Sequence, residues 1–171
     1  MLSPKEFIKL FDNKGYDYDL NEHKALFTVE DSNKYRGKIK GAHSKNLFLK
    51  NKKKQFFLIS CEEFADINLK KIAKPLALGN VSFAQEEYLI NLLGIKPGSV
   101  TPFALLNDTE NKINFYLDEK LYNSKFVNFH PLTNTATITM KCSTFIEFMI
   151  ENNKKIHIFS PVEEIIVKTY G

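Results

Sequence analysis

Three short stretches combine residue types that can do chemistry. They are Gly41-Ala42-His43-Ser44-Lys45-Asn46-Leu47-Phe48-Leu49, Gly98-Ser99-Val100-Thr101-Pro102, and Asn128-Phe129-His130-Pro131-Leu132-Thr133-Asn134-Thr135. Lys45 offers an ammonium for a phosphate or a developing oxyanion, and it reads equally as one of many solvated lysines at the entry to a strand. Gly98 sits in the most turn-rich stretch of the chain, where bare backbone can approach a ligand and donate amide hydrogens; the plain alternative is a surface loop. His130 falls between a predicted strand and a turn, a place that suits a structural histidine as well as a site histidine. There is no GxGxxG after a strand, no GxxxxGK[ST] and no GxSxG nucleophile elbow. His23, His43, His130 and His157 show no HxxxH or HxH spacing, so neither a metal nor a cofactor is expected.

These stretches must be positioned by elements that the sequence also predicts. Ser3, Pro4 and Glu6 make a capping box with proline at the first helical position, and Phe7, Leu10 and Phe11 share one face before Gly15 stops the helix. Tyr16, Tyr18 and Leu20 alternate with Asp17 and Asp19 as in a half-buried strand, and the polar run 30–36 suits a short helix. Strands are predicted over 46–49 and 55–60, with the lysine-rich stretch Lys50 to Lys54 as a hairpin tip. Ile67, Leu69, Ile72 and Leu76 predict a helix that ends near Pro75. Ser82 and Gln85 have capping-box spacing ahead of Tyr88, Leu89, Leu92 and Leu93, and Gly94 closes that helix. Strands follow over 113–117, 124–128 and 135–140, then a helix over 143–152 and a last strand over 156–159. No regular βαβ repeat and no linker composition occurs, which argues for a single α+β domain over 1–171, with its core in about 20–160.

Composition agrees with one packed domain. Of 171 residues, 43% are hydrophobic and 13% aromatic, enough for a core of bulky rings. The net charge of +4 is carried almost wholly by lysine, since Arg36 is the only arginine. Lysine meets phosphate as a point charge and lacks the fork that reads guanine edges, so backbone or shape recognition of a polyanion fits better than base reading. Cys61 and Cys142 form no CxxC and suggest no disulfide scaffold. No apolar run is long enough to cross a bilayer and the amino-terminal stretch lacks a signal-type apolar region, so a cytoplasmic protein with no membrane partner is expected.

Taken together, the segments HKALFTVED (23–31), GAHSKNLFLK (41–50), GNVSFA (79–84), LLGIKPGSVTPFALLND (92–108) and VNFHPLTNTATI (127–138) resemble the YbaK/prolyl-tRNA synthetase-associated domain family, and within it the free-standing Ala-tRNA(Pro) deacylases. The resemblance implies a mixed β-sheet, partly closed into a barrel and flanked by helices. It implies hydrolysis of the ester that joins an amino acid to the terminal ribose of tRNA. The implied partner is the acceptor end of tRNA(Pro), with prolyl-tRNA synthetase as a transient one. By position in the family motif, Lys45 matches the lysine needed for deacylation, Gly98 the glycine of the GxxxP loop, whose backbone is expected to approach the aminoacyl group, and His130 the pocket histidine, expected to shape the amino-acid sieve. Asn46, Pro102, Phe129, Val29 and Leu26 are expected around the substrate, with Leu26, Phe27, Val29 and Phe129 as apolar walls. Lys50, Lys52, Lys53 and Lys54 form the densest positive cluster, suited to acceptor-stem phosphates and equally to a solvated hairpin tip. Two other readings stay open: a deacylase for Cys- or Ser-tRNA, and a non-catalytic tRNA- or synthetase-binding module.

Overall fold

The computed structural model describes residues 1–26 and 29–171, apart from the side chains of Val29, Ser32, Tyr35 and Arg36. Helix α1 (Pro4–Lys14) is capped as its sequence predicts. The Ser3 side chain accepts from the Glu6 amide, Glu6 returns the bond to Ser3, and Gly15 ends the helix in the left-handed region. Phe7 and Phe11 are fully buried, against Phe103 and Phe148. Strand β1 (Tyr18–Glu22) and helix α2 (Val29–Arg36) follow.

Nine strands among the described residues form one mixed sheet. In chain order they are β1, β2 (Ala42–Asn51), β3 (Phe56–Glu62), β4 (Val81–Phe83), β5 (Ile113–Asp118), β6 (Phe126–Phe129), β7 (Ala136–Lys141), β8 (Ile156–Ser160) and β9 (Ile165–Tyr170). Across the sheet the order is β1-β7-β6-β2-β3-β5-β8-β9, with β4 added to the far end of β2. The end strands β1 and β9 do not pair, so the sheet is open, which corrects the expected partial closure into a barrel. Strand β2 is the hinge of the arrangement. It pairs antiparallel with β3 along 44–50, and on its other edge it pairs with β6 through Ala42 and His43 only.

Alternation along the strands gives the sheet two different faces. On one face Phe48, Leu58, Phe115, Ile158, Val127 and Ile138 pack beneath α1, helix α6 (Cys142–Glu151), a π-helix (Leu89–Leu93) and a 3₁₀-helix (Pro102–Asn107). On the other face Leu49, Phe57, Ile59, Tyr116 and Phe159 pack against α3 (Leu69–Ala73) and the segment that follows it. That second cover extends over β2, β3 and β5 and leaves β6 and β7 to a polar surface.

Several local expectations differ from the structure. Ser82 lies in β4, and the helix after it starts at α4 (Glu86–Tyr88) with Gln85 at its cap and no side-chain capping bond, because pairing with β2 has taken Ser82. Lys50 belongs to β2 and not to the hairpin tip, which spans Lys52 to Gln55. The 3₁₀-helix, the short α5 (Glu119–Tyr122) and β9 carry no signal that pattern reading picks up. Cys61 and Cys142 are both free and buried. No helix among the described residues is long and apolar enough to cross a membrane.

Candidate functional site

The site forms where β2 parts from β6. Gly41 has φ +91°, and a Cβ there would stand 2.8 Å from the Phe126 backbone oxygen, so glycine is what lets β2 enter this close to β6. His43 then pairs with Asn128, after which the two strands separate. The gap is bridged by polar groups. Ser44 donates from Oγ to the Asn128 carbonyl at 3.0 Å, and Asn128 Nδ2 donates to the carbonyls of Lys40 and Ala42. Thr139 Oγ1 donates to Asn128 Oδ1 at 2.6 Å. Every polar group of Asn128 is thereby satisfied in a buried position, as a low-dielectric site requires.

A pocket of about 510 Å³, its open mouth included, lies against these strands. Leu26, Ile39 and Phe129 provide apolar wall, and His23, His43, Ser44, Glu63, Asn128, His130 and Thr137 provide polar groups. His130 Nδ1 lies 2.8 Å from the Ala136 carbonyl, which can only accept, so Nδ1 carries the hydrogen and Nε2 the lone pair. Burial lowers the pKa of His130, and the neighbouring His23 adds to the lowering against the opposing Ala136 hydrogen bond. His130 is therefore a neutral, fixed imidazole at pH 7. Its loop is held in an unusual shape: Leu132 is buried with φ +62°, rare for leucine, and donates its amide to the His130 carbonyl.

His23 is one of several pocket residues that sequence reasoning did not select. Its backbone amide donates to the Thr135 carbonyl, its Nε2 lies 2.9 Å from Thr137 Oγ1, and its ring centre is 6.2 Å from that of His130. The contact arises from the β1–β7 register, which no local pattern encodes. His43, Ser44 and Glu63 enter for the same reason, through strand pairing across β2 and β3 and the turn beyond.

Of the residues expected at the site, Leu26, Phe129 and His130 line the pocket. Phe129 is also a core residue, with its ring 4.7 Å from that of Phe145. Gly98 is exposed at φ +84°, and a Cβ there would stand 3.5 Å from the Asn134 side-chain nitrogen, so the Gly98 turn adjoins the His130 loop without lining the pocket. Lys45 shares the face of His43, two residues along β2, where the polar surface gives way to the apolar cluster under α3. Its Nζ donates to the Ala65 carbonyl, beside the turn that carries Glu63. Lys45 thus stands next to the pocket and outside its lining. Asn46 points to the opposite face, accepting from Ser60 Oγ at 2.5 Å and donating to Ser44 Oγ at 3.4 Å. Pro102 is buried at the start of the 3₁₀-helix. Phe27 and the side chain of Val29 lie outside the described residues.

Lys52, Lys53 and Lys54 are exposed at the far end of β2, about 30 Å from His43 at the usual rise per residue. Lys50 bonds to the Tyr88 hydroxyl at 3.3 Å and lies over that ring. Cys61 faces Lys45 across the β2–β3 ladder, but burial pushes its thiol up to about 12, which removes it as a nucleophile at neutral pH. Among the described residues no three His, Cys, Asp or Glu side chains converge as metal ligands.

A pocket at a strand divergence, walled by apolar side chains and floored by fixed polar ones, has the make-up of a small-ligand site. Residues 23–148 match the model of the aminoacyl-tRNA editing domain, and the chain belongs to that family. Prolyl-tRNA synthetase associated domain-containing protein 1 of Xenopus laevis is 40% identical over 133 residues, covering 75% of this chain and 79% of that protein. Prolyl-tRNA editing protein ProX of Acetoanaerobium sticklandii is 31% identical over 134 residues, 78% of this chain and 82% of that one. A crystal structure described as "a putative trans-editing enzyme for prolyl tRNA synthetase" superposes with a TM-score of 0.66 at 19% identity, over 94% of this chain and 98% of its own. That likeness supports the fold.

Proposed function

We propose that this chain is a trans-editing deacylase that hydrolyses mischarged Ala-tRNA(Pro) to alanine and free tRNA(Pro). The observation that carries the reading is the pocket beside His130, which lies inside the segment matched by the editing-domain model. The name of the ProX relative points to prolyl-tRNA editing in that protein.

An aminoacyl ester is already activated, so the protein has to position it, admit water and stabilise charge. Water adds to the ester carbonyl, the tetrahedral oxyanion collapses, and the bond to the terminal ribose oxygen breaks as that oxygen takes a proton. The ammonium of Lys45 leaves the Ala65 carbonyl, or is shared with it, to meet the terminal phosphate or the oxyanion. His130, neutral and locked through Nδ1, borders the amino-acid side and acts on fit more than on proton transfer. The ribose hydroxyl next to the ester activates the water, which leaves no protein base to be found. Leu26, Ile39 and Phe129 limit the side chain that enters. A synthetase active site admits alanine into a pocket made for proline at modest cost, and a second, smaller pocket removes the error by size.

The test is to follow ester loss from Ala-tRNA(Pro), Pro-tRNA(Pro) and Ala-tRNA(Ala) with wild type and Lys45→Ala. Selective loss of Ala-tRNA(Pro), lowered by about 10²–10³ in the variant as for a lost oxyanion donor, is expected. Equal stability of Ala-tRNA(Pro) with and without protein would end the reading. Release from Cys- or Ser-tRNA instead would move the specificity, and no release from any of them would leave a binding module.

A further inference from the structure

The pocket is one end of a longer feature. Asn128 and Phe126 share a face of β6 that His130, just past its end, continues, and on β7 Thr137, Thr139 and Lys141 lie on the same side, with Asn128 opposite Thr139 and Phe126 opposite Lys141. Beyond the pocket the next hollow is lined by Thr139, Lys38 and Lys40, and shares Ile39 with the pocket. At the start of β6, where α6 begins, lies an open groove of about 950 Å³ lined by Lys125, Lys141, Tyr122 and Tyr170 among others, and the Phe126 ring, flanked by Lys40 and Lys125, links the hollow to it. The run from His130 to Phe126 covers about 13 Å at the usual strand rise.

The lysines along this run are held in place. Lys40 Nζ stands 4.3 Å and Lys125 Nζ 5.6 Å from the centre of the Phe126 ring, and Lys168 Nζ stands 4.4 Å from that of Tyr170. Cation–π contact restrains the ammonium groups while leaving them in water. Among the described residues lining the two hollows, Asp19 is the one carboxylate, and it pairs with Lys40 at 3.2 Å. The result is a cationic track with aromatic side chains between the charges, the pattern that follows a single-stranded nucleic-acid backbone.

We infer that this track, from Lys38 and Lys40 past Phe126 to Lys125 and Lys141, carries the single-stranded 3′ end of the tRNA toward the pocket. The backbone phosphates lie on the lysines and the terminal ribose reaches the pocket mouth. The partner rests on the editing reading above; the track itself does not. Continuity with the pocket favours this surface over the Lys52–Lys54 tip, which sits at the other end of β2.

The experiment measures binding of uncharged tRNA(Pro) by filter retention across about 50–200 mM salt. The variants are Lys125→Glu/Lys141→Glu, the milder Lys125→Ala/Lys141→Ala, and Lys52→Glu/Lys53→Glu/Lys54→Glu. All five lysines are exposed. Lys141 also precedes α6, where a carboxylate is favourable, so the fold should stand, as a urea melt will verify. The double glutamate variant should bind about tenfold or more weakly, and the alanine pair should lower the salt slope by about 1.4 to 1.8. The tip variant should stay within about twofold of wild type. Hydrolysis of an alanyl ester of adenosine, too short to reach Lys125, should match wild type. Binding by the double glutamate variant within twofold of wild type, a larger loss in the tip variant, or no tRNA binding by wild type would each overturn the track. A wild type that binds through the track yet deacylates nothing would end the editing reading and leave the track standing.

Discussion

The two halves of the sheet use the same alternation to opposite ends. In β3 every residue from Phe56 to Cys61 is buried, because the cluster under α1 and α6 covers one face and α3 covers the other. In β6 and β7 the first face is equally apolar, with Val127, Phe129, Ile138 and Met140, but the second carries Asn128, Thr137 and Thr139, with His130 just past the end of β6. A strand covered on both faces has to be apolar throughout. A strand covered on one face can spend the other on hydrogen-bonding groups, provided each finds a partner, as Asn128 and Thr139 do. The pocket therefore lies where the second cover stops, and Lys45 stands at that border.

The largest effect that tests this contrast belongs to the doubly covered half. Phe115 is 1% exposed and packs against Phe145. Phe115→Ala should cost about 3–5 kcal/mol in urea unfolding, while the fraction that remains folded keeps the activity proposed above. A matching loss of stability from Thr137→Ser, which keeps the hydroxyl on the pocket face, would erase the distinction between the halves.

How far the sequence discloses this division depends on whether the signal is local. The capped α1, the β2–β3 hairpin and the existence of β6 and β7 as strands are local, and they were legible. Leu26, Phe129 and His130, expected around the substrate, line the pocket. The meeting of His23 with His130 depends on the β1–β7 register, and the placing of Ser44 against Asn128 depends on two parallel residue pairs. Neither has a short-range signature. Ser82 shows the converse, a capping-box spacing overridden by pairing with β2. The charge run Lys50 to Lys54 drew attention because it is dense in sequence, whereas Lys40, Lys125 and Lys141 are scattered along the chain and gather only in the fold.

A smaller effect sharpens what the polar half does. Leu26 is a half-buried wall of the pocket. On the editing function proposed above, Leu26→Ala should widen the pocket, so that Pro-tRNA(Pro) hydrolysis rises by about 10–200-fold, the usual worth of a methylene-sized difference in a pocket. Hydrolysis of Ala-tRNA(Pro) should change far less. If both substrates lose activity in parallel, Leu26 supports the pocket without limiting its size.

The smallest effect is on the pH dependence of stability, and it separates a buried neutral histidine from a solvated one. Burial lowers the pKa of His130 in the folded protein below its ordinary 6.5, whereas the unfolded chain keeps the ordinary value. In the window between the two, the unfolded state binds more protons, so stability rises with pH. The contribution is fully present above about pH 6.5 and is lost as pH falls through the folded pKa. His157 is lowered by burial too and adds a limb of the same sign, so His157→Gln is the proper background. On that background, urea midpoints between pH 7 and pH 5 should fall less for His130→Asn than for His130 itself. Identical curves would mean that His130 takes up its proton as freely in the folded chain as in the unfolded one. The Nδ1–Ala136 bond survives protonation, since Nδ1 donates in either state. A missing limb would therefore indict the burial of the ring and not its hydrogen bond.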